Sequence, residues 1–294
     1  MSDFTLYTIA LLGYCVLAFL RFCVILLLAS CLLLLLDIII VAKFFRRGVN
    51  CMSWLLVLGA KSDIARATAR RFAIAGFNIY LAARNSDFLD IEIKDLEVRY
   101  KIKAMSLEFD VLKTETHKEF YDSIKEKPFA VLCAVGYLGD QRLAEKDFNE
   151  AKKIIDTNYT GCVSILNIIA DDFEKRGYGY IIGISSVAGD RGRKMNCFYG
   201  SSKSAFSAYL SGLRNRLFQK NVRVMTVKPG FVRTKMTEGR EIPDLLTAEP
   251  EEVASDIFNA YIKHRDILYT KWYWRYIMFI VIHLPEFIFK RMNL

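Results

Sequence analysis

Tyr199 and Lys203 are the two residues of this sequence whose types and spacing most clearly suit catalysis. Their i, i+4 spacing places both side chains on one face of a helix, where the ammonium can lie near the phenol. A phenol is a poor proton donor or acceptor at neutral pH, and an adjacent positive charge favours its ionised form and so brings it into use. A Tyr-x-x-x-Lys pair on an exposed helix face, without chemistry, is the alternative that the pair alone leaves open.

Two further polar residues precede this pair in an order that suits carbonyl chemistry. Ser186 follows an apolar run and Ser185, thirteen positions before Tyr199. Its hydroxyl can donate a hydrogen bond to an oxygen on which negative charge develops, and Ser185 is the less suitable neighbour. Asn158, in Thr-Asn-Tyr-Thr-Gly, can hold a water that relays protons to Lys203. We therefore predict that these residues, except Ser185, form one catalytic group.

A segment that suits a phosphate follows the first apolar run of the middle of the chain. Gly59 permits a tight turn, and the helix that follows offers free N–H groups and a dipole to a pyrophosphate. A dinucleotide-binding loop commonly has three glycines, so an ordinary helix capped near Asp63 stays open as an alternative. The nucleotide-binding residues predicted here are Gly59, Lys61, Ser62, Asp63 and Ile64.

The ends of the next strands indicate which nucleotide is bound. An enzyme specific for NAD usually has an acid after the second strand, whereas Arg84 suits a 2′-phosphate and Lys61 lies nearby in sequence. We therefore expect NADP(H) to be favoured, with NAD(H) as the alternative. Further contacts are expected from Asp110 and Val111 beside the adenine, and from Ala134 and Gly136, where backbone can approach closely.

The elements that must position these residues alternate between apolar runs and longer amphipathic stretches, from Ser53 to about Thr270. This pattern is typical of a parallel sheet covered by helices on both faces, and ligands bind at the carboxyl ends of its strands. We predict a Rossmann-type, doubly wound α/β catalytic domain over residues 52–270. Strands are predicted near Trp54–Leu58, Asn78–Ala82, Lys103–Leu107, Ala130–Ala134, Tyr180–Ile184 and Arg223–Val227.

Composition excludes several classes of protein. A chain of 294 residues with 53% hydrophobic content can bury one large core. The net charge of +9 is scattered and accompanies no nucleic-acid-binding motif, so a partner at an anionic lipid surface fits better than nucleic acid. The seven cysteines include no Cys-x-x-Cys pair and the three histidines are far apart, so we expect no metal site and no disulfide framework.

The two ends of the chain point to a membrane. Residues 22–42 are apolar enough to cross a hydrocarbon core of about 30 Å, and Lys43, Arg46 and Arg47 then place the downstream domain in the cytoplasm. We therefore expect residues 1–51 to be a transmembrane segment with a basic linker at the inner, cytoplasmic membrane. A cleavable signal peptide fits poorly because no basic region precedes the apolar run. A start at Met52 is an open alternative.

The C-terminal residues 271–294 mix aromatic and basic side chains around an apolar run. Such a composition suits a segment that lies at a membrane interface. A helix that closes a homo-oligomer or the substrate pocket is equally compatible with it.

Taken together, residues 53 to about 270 resemble the short-chain dehydrogenase/reductase superfamily. The resemblance implies hydride transfer between a nicotinamide and a carbonyl or alcohol. Tyr199 would be the general acid, Lys203 its modulator and ribose anchor, Ser186 the carbonyl polariser and Asn158 the water holder. The nicotinamide side would be contacted by Pro229, Gly230, Val232 and Thr234, besides Tyr199 and Lys203.

The sequence departs from the family pattern at two places. The glycine-rich loop is reduced to Gly59, and the family's Asn-Ala-Gly after the fourth strand is Ala134-Val135-Gly136. These departures concern the geometry of the cofactor and leave the catalytic group intact.

A narrower resemblance is to the decaprenylphosphoryl-2-keto-erythro-pentose reductase family. It is carried by Leu138-Gly-Asp140, Asn158-Tyr-Thr, the segments Ser185 to Arg193 and Pro229 to Met236, and Arg275-Tyr-Ile-Met with Leu284-Pro285. It implies reduction of a polyprenyl-phosphate 2-keto-pentose that a flavoprotein oxidase has formed.

Arg191 and Arg193 are then candidates for the substrate phosphate, since guanidinium groups bind phosphate in a bidentate way. A solvated basic loop is the alternative for these two residues. Reduction of a steroid, retinoid or acyl-chain ketone is the rival substrate class, and a noncatalytic nucleotide-binding membrane scaffold is the rival of a different kind.

Overall fold

A computed structural model describes residues 53–239 and 243–292. The transmembrane helix expected at residues 22–42 lies outside the described residues. Within them, every helix is too short or too polar to cross a bilayer.

Seven parallel strands form the main sheet, in the order β3-β2-β1-β4-β5-β6-β9. The strand order reverses between β1 and β4, which is the point where open α/β sheets bind ligands. All residues of β1, β2, β4 and β5 are buried, which explains their continuous apolar runs. The strands are β1 (Trp54–Leu58), β2 (Asn78–Ala83), β3 (Ala104–Glu108), β4 (Ala130–Cys133), β5 (Gly179–Ile184), β6 (Val222–Pro229) and β9 (Ile267–Thr270), and β7 (Phe231–Val232) pairs with β8 (Thr247–Ala248) beside them.

Helices cover both faces of the sheet. On one face Phe72 of α1 meets Phe258 and Tyr261 of α8 in close ring contacts. On the other face α6 and α7 supply Phe173, Phe206 and neighbours to the largest buried cluster. The helices are α1 (Asp63–Ile74), α2 (Asp90–Tyr100), α3 (His117–Ser123), α4 (Gln141–Ala144), α5 (Phe148–Ile155), α6 (Gly161–Arg176), α7 (Cys197–Leu217), α8 (Pro250–Ile262), α9 (Trp274–His283) and α10 (Glu286–Phe289).

The predicted parallel α/β sheet is confirmed, and each of the six predicted strands is present to within about two residues at its ends. The edge strand β9 was missed. Its four residues follow a polar stretch, Lys263 to Asp266, and are too few to show a strand pattern.

Candidate active site

Lys203 lies inside the protein at the carboxyl ends of two neighbouring strands. Its side chain is 2% exposed, and its Nζ donates to the carbonyl oxygens of Ile184 at 3.0 Å and Val135 at 3.3 Å. Nζ lies 5.8 Å from the ring centroid of Tyr199, which is half-buried one helical turn earlier on α7. The pair is therefore not an exposed ion on a helix surface. The ammonium is fixed between β4 and β5, next to the phenol.

Ser186 is placed beside this pair by the turn that follows β5. Its Oγ accepts a hydrogen bond from the backbone N–H of Ala188 at 3.1 Å, which leaves its own proton free to be donated. A Cβ on Gly189 would lie 2.7 Å from the backbone nitrogen of Ser204, so this turn packs directly on α7. Ser185 instead donates to the carbonyl oxygen of Lys203 at 2.9 Å and anchors the helix.

Asn158 lies in a π-helical turn, Asp156–Thr160, between α5 and α6. π-Turns inside helices are frequent at functional sites. The side chain of Asn158 is fully buried, and its Nδ2 donates to the carbonyl oxygens of Tyr137 at 2.7 Å and Ile154 at 2.9 Å. Its Oδ1 accepts from the N–H of Tyr137 at 3.0 Å. Both amide protons of Asn158 are thus used in hydrogen bonds to carbonyl oxygens, and the side chain fixes the backbone after β4. A water could bind this side chain only by donating a hydrogen bond to Oδ1.

Gly136 lies between Asn158 and Lys203. A Cβ built on Gly136 would be 3.5 Å from the Oδ1 of Asn158 and 3.5 Å from the Nζ of Lys203. The segment after β4 therefore joins the two polar groups into one site, as the order of the residues predicts.

Gly59 has the backbone conformation and the close contact that exclude other residues. Its φ is +83°, and an added Cβ would lie 2.9 Å from the backbone nitrogen of Val135. The turn brings the N-terminus of α1 to the carboxyl end of β1, where its first N–H groups have no partner one turn earlier. Ser62 and Ile64 stand at this end, and the site fits a pyrophosphate.

Asp63 has a role that the sequence did not indicate. Its Oδ2 accepts a hydrogen bond from the backbone N–H of Lys235 at 2.9 Å. The start of α1 is thereby joined to the segment after β7.

Arg84 is exposed directly after β2 and has no ion pair among the described residues. Lys61 is also exposed, with its Nζ 5.1 Å from the ring centroid of Phe88. Glu108, which the sequence analysis missed, accepts backbone N–H bonds from Ser86 at 2.9 Å and Asn85 at 3.0 Å. The hydrogen bond from Ser86 is the main reason that the pKa of Glu108 is lowered. The end of β2 therefore carries two exposed cations, Lys61 and Arg84, and the carboxylate of Glu108 binds the backbone of the turn that follows the strand.

The remaining residues predicted for the cofactor lie on the same edge of the sheet. Asp110 accepts the N–H of Leu112 at 3.1 Å through Oδ1, while Val111 is buried against Gly161 and serves in packing. Ala134 backs onto Gly59. At the end of β6 and after it, Pro229 and Val232 are buried, and Gly230 and Thr234 are half-buried.

Arg191 and Arg193 have different hydrogen-bond partners in the structure. Nη1 of Arg191 donates to the carbonyl oxygens of Val281 and Leu284, at 2.5 and 2.6 Å, and Nη2 binds Glu286 at 2.8 Å. The guanidinium of Arg191 thus caps the end of α9, and we revise its predicted phosphate contact.

Arg193 has no such set of acceptors. Its Nη2 faces the sulfur of Met278 at 3.4 Å, and its Nε is buried without a hydrogen-bond partner. Burial lowers the pKa of this guanidinium, and the charge of Asp190 partly opposes that effect. Both carboxylate oxygens of Asp190 are already engaged, by Lys228 and by the hydroxyl of Tyr269.

Helix α9 packs against the substrate side of the site. Trp274 and Met278 are buried in one cluster with Val187, the residue after Ser186. A Cβ on Gly230 would lie 2.0 Å from the indole of Trp274, so the helix rests directly on the segment after β6. Of the alternatives that the sequence left open for the C-terminal segment, closing one side of the pocket is the one that these contacts favour.

Comparisons with known proteins agree with this arrangement. The family model for short chain dehydrogenase matches residues 53–243. An uncharacterised oxidoreductase of Mycobacterium tuberculosis is 34% identical over 241 residues, which are 81% of this chain and 96% of that protein. The NADP-dependent 3-hydroxy acid dehydrogenase of Schizosaccharomyces pombe is 26% identical, covering 73% of this chain and 88% of its own.

The fold is also that of a solved structure. A short-chain dehydrogenase from Sphingobium yanoikuyae in complex with NADPH aligns with a TM-score of 0.71 and 18% identity, over 82% of this chain and 96% of its own. The family match and the M. tuberculosis relative show that this chain belongs to the short-chain dehydrogenases and is an NAD(P)-dependent oxidoreductase.

Proposed function

We propose that this chain reduces a ketone with NADP(H), using Tyr199, Lys203, Ser186 and Asn158. One observation carries the proposal, namely that buried Lys203 lies beside Tyr199 at the carboxyl ends of β4 and β5. The order of these residues on successive elements matches a carbonyl reductase, whereas a noncatalytic scaffold has no need for a buried ammonium at this place.

The side chains divide the work at the carbonyl oxygen. A nicotinamide nucleotide, when bound, supplies the hydride. Ser186 donates its free proton to the oxygen as negative charge develops there. Tyr199 transfers its proton to the same oxygen, and the ammonium of Lys203 stabilises the phenolate that remains. Asn158 acts as a positioning residue, because it fixes the backbone at Tyr137 and so the floor of the site.

Several observations support NADP(H) as the cofactor. Arg84 and Lys61 offer two exposed cations at the end of β2, where a 2′-phosphate is recognised in this fold. The N-terminus of α1 and Gly59 fit the pyrophosphate. The NADPH-bound neighbour and the NADP-dependent relative use the same nucleotide.

Replacing Tyr199 tests the catalytic assignment. We expect Tyr199→Phe to lower kcat by roughly 10² to 10⁴ with any ketone that the wild type reduces, because the proton donor is lost. Tyr209→Phe is the matched control, since Tyr209 lies on the same helix with its hydroxyl on the carbonyl oxygen of Val163. Circular dichroism checks that both variants fold. Undiminished turnover by folded Tyr199→Phe would refute the assignment.

The substrate that we propose is a polyprenyl-phosphate-linked 2-keto-pentose, formed by a flavoprotein oxidase. The sequence motifs of the decaprenylphosphoryl-2-keto-erythro-pentose reductases support this class. The apolar wall that α9 adds to the site also supports it, because it suits a lipid chain. We further propose that the enzyme works at the cytoplasmic face of the membrane, held there by the predicted N-terminal helix.

Arg193 is the residue that we assign to the substrate phosphate. Arg193 is half-buried, and a guanidinium that has a thioether as an acceptor and a buried Nε without a partner is unfavourable unless an anion binds it. The nearby acid, Asp190, is saturated by Lys228 and Tyr269. Arg193 contacts Met278, which shares a buried cluster with Val187, the neighbour of Ser186, so a phosphate bound by Arg193 would be on the side of the site that carries Ser186.

A panel of ketones tests the substrate class. We expect Arg193→Gln to raise KM for the polyprenyl-phosphoryl 2-keto-pentose by roughly tenfold to a hundredfold, the effect of losing a charged hydrogen bond. KM for a small ketone without phosphate should change little. Lys194→Gln, an exposed neighbouring cation, is the control. Equal effects on both substrates, or better turnover of steroid, retinoid or acyl-chain ketones by the wild type, would favour the rival class.

A further inference from the structure

Helix α9 is apolar on two opposite faces. Its inner face packs on the site through Trp274 and Met278, which are 4% and 0% exposed. On its other face Tyr276, Phe279 and Ile280 are 63%, 64% and 61% exposed. Large apolar side chains that are exposed together on one face of a helix mark a surface for an apolar environment, and the inner face of α9 is already covered.

The apolar surface extends beyond α9 at both ends. Trp272 precedes the helix and is 73% exposed, and its ring contacts that of Tyr276 with 5.9 Å between centroids. Phe287 and Ile288 of α10 are 60% and 40% exposed. We define the outer face as Trp272, Tyr276, Phe279, Ile280, Phe287 and Ile288.

The charges around the outer face select the kind of partner. Arg275, Lys290 and Arg291 are exposed and have no ion pair among the described residues. The single acid of residues 271–292, Glu286, binds Arg191. A second copy of this face would bring like charges together, whereas anionic headgroups would neutralise them. Trp and Tyr side chains at the edge of an apolar surface are typical of a bilayer interface.

We propose that the outer face of α9 and α10 inserts into the boundary between the headgroups and the acyl chains of an anionic lipid bilayer. The inference rests on the proposed function, because it names the surface through which a lipid-linked substrate would reach the site. Arg191 holds this surface to the site: it binds the carbonyl oxygens at the end of α9, and its guanidinium lies 3.8 Å from the ring centroid of Phe289. Arg193, the residue that we assign to the substrate phosphate, lies two positions after Arg191 in the same loop.

Tryptophan fluorescence on the full chain tests the insertion directly. The chain has three tryptophans, of which Trp54 and Trp274 are buried and Trp272 is exposed. In vesicles of phosphatidylcholine and phosphatidylglycerol that carry brominated acyl chains, we expect quenching of Trp272 alone. Trp272→Phe should abolish the quenching, and neutral vesicles or high salt should weaken it. This measurement is specific for the C-terminal surface, whether or not residues 22–42 also anchor the chain.

Variants of the outer face complete the test. The double change Phe279→Ser and Ile280→Ser should remove more than about half of the quenching, since it deletes apolar contact with the acyl region. Phe218→Ser, at an aromatic residue that is 77% exposed on another element, should leave quenching unchanged. Absence of quenching in the wild type would overturn the proposal. So would a lipid-free dimer that the double change dissociates, because the occupant would then be a second copy.

The assay separates this inference from the proposed function. Quenching requires no turnover, and reduction of a water-soluble ketone can be measured on the same samples. Quenching without ketone reduction would overturn the function and leave docking standing. Reduction without quenching would overturn docking and leave the proposed function standing.

Discussion

At the scale of single residues, Arg191 and Arg193 show how two equal side chains in one loop receive different tasks. Arg191 has four acceptors from the C-terminal segment, three carbonyl oxygens and one carboxylate. The guanidinium of Arg193 instead faces the sulfur atom of Met278. The acceptors come from residues about ninety positions away in sequence, so nothing in the local sequence could distinguish the two arginines.

The cofactor preference is decided at the same scale. We expect Arg84→Ala to raise KM for NADPH by roughly tenfold or more, because a charged contact to the 2′-phosphate is lost, and to change KM for NADH much less. Both constants should be measured with one ketone. Arg223→Ala is the control, since Arg223 is exposed near the amino end of β6, opposite the site. A parallel rise for both nucleotides would show that Arg84 does not read the phosphate.

That Ser186, Tyr199 and Lys203 lie together was predictable from sequence, because Ser186 follows the buried strand β5 and the other two stand on the next helix. The hydrogen bonds that occupy the side-chain amide of Asn158 were not predictable. They depend on the π-helical turn at Asp156–Thr160, which has no clear sequence signature. The Asp190–Lys228–Tyr269 cluster was hidden for a similar reason, since it joins a loop, β6 and β9.

At the scale of elements, His117 joins α3 to the end of β3 and to α6. Its ring is fully buried, with Nδ1 3.0 Å from the hydroxyl of Ser164 and Nε2 3.2 Å from the carbonyl oxygen of Asp110. Burial lowers the pKa of His117 below its ordinary value of 6.5, although nearby carboxylates and a backbone contact oppose the shift. The folded protein therefore takes up this proton less readily than the unfolded chain.

This difference predicts a pH dependence of stability. As the pH falls below about 6.5, the unfolded chain binds a proton at His117 that the folded protein excludes, so the free energy of unfolding decreases. Above that pH the term vanishes. Urea denaturation at pH 5.5 and 7.5 should show a smaller loss for His117→Gln than for the wild type. His283→Gln, at an exposed histidine, should behave like the wild type, and an unchanged pH slope in His117→Gln would contradict this account.

Elements also mark the limit of sequence analysis. The five inner strands, β1, β2, β4, β5 and β6, were recognisable because burial gives them apolar runs. The edge strand β9 is half covered, and its register with β6, from Thr226 opposite Ile267 to Pro229 opposite Thr270, is set by tertiary contact. Short segments of this kind acquire their structure from their neighbours rather than from their own pattern.

At the scale of the whole molecule, the parallel sheet explains why the two halves of the site meet. The residues predicted to hold the pyrophosphate and adenine end of the nucleotide follow β1 to β3, those predicted for catalysis lie between β4 and β6, and the strands of the main sheet are parallel. The hydrogen bond from Lys235 to Asp63 then joins the two halves across the edge. Composition and motif order were sufficient to predict this architecture, whereas the two faces of the C-terminal helix α9 could be told apart only from its position in the fold.

The contact between Trp274 and Gly230 has a consequence for altering substrate scope. Because α9 rests on the strand end without an intervening side chain, the size of its inner residues sets the space above the site. A library that randomises Trp274, Ile277 and Met278 would reshape the enzyme's selectivity from a helix that chain order places far from the reacting groups. Directed evolution of this protein should therefore begin near its C-terminal helices as well as in its catalytic loops.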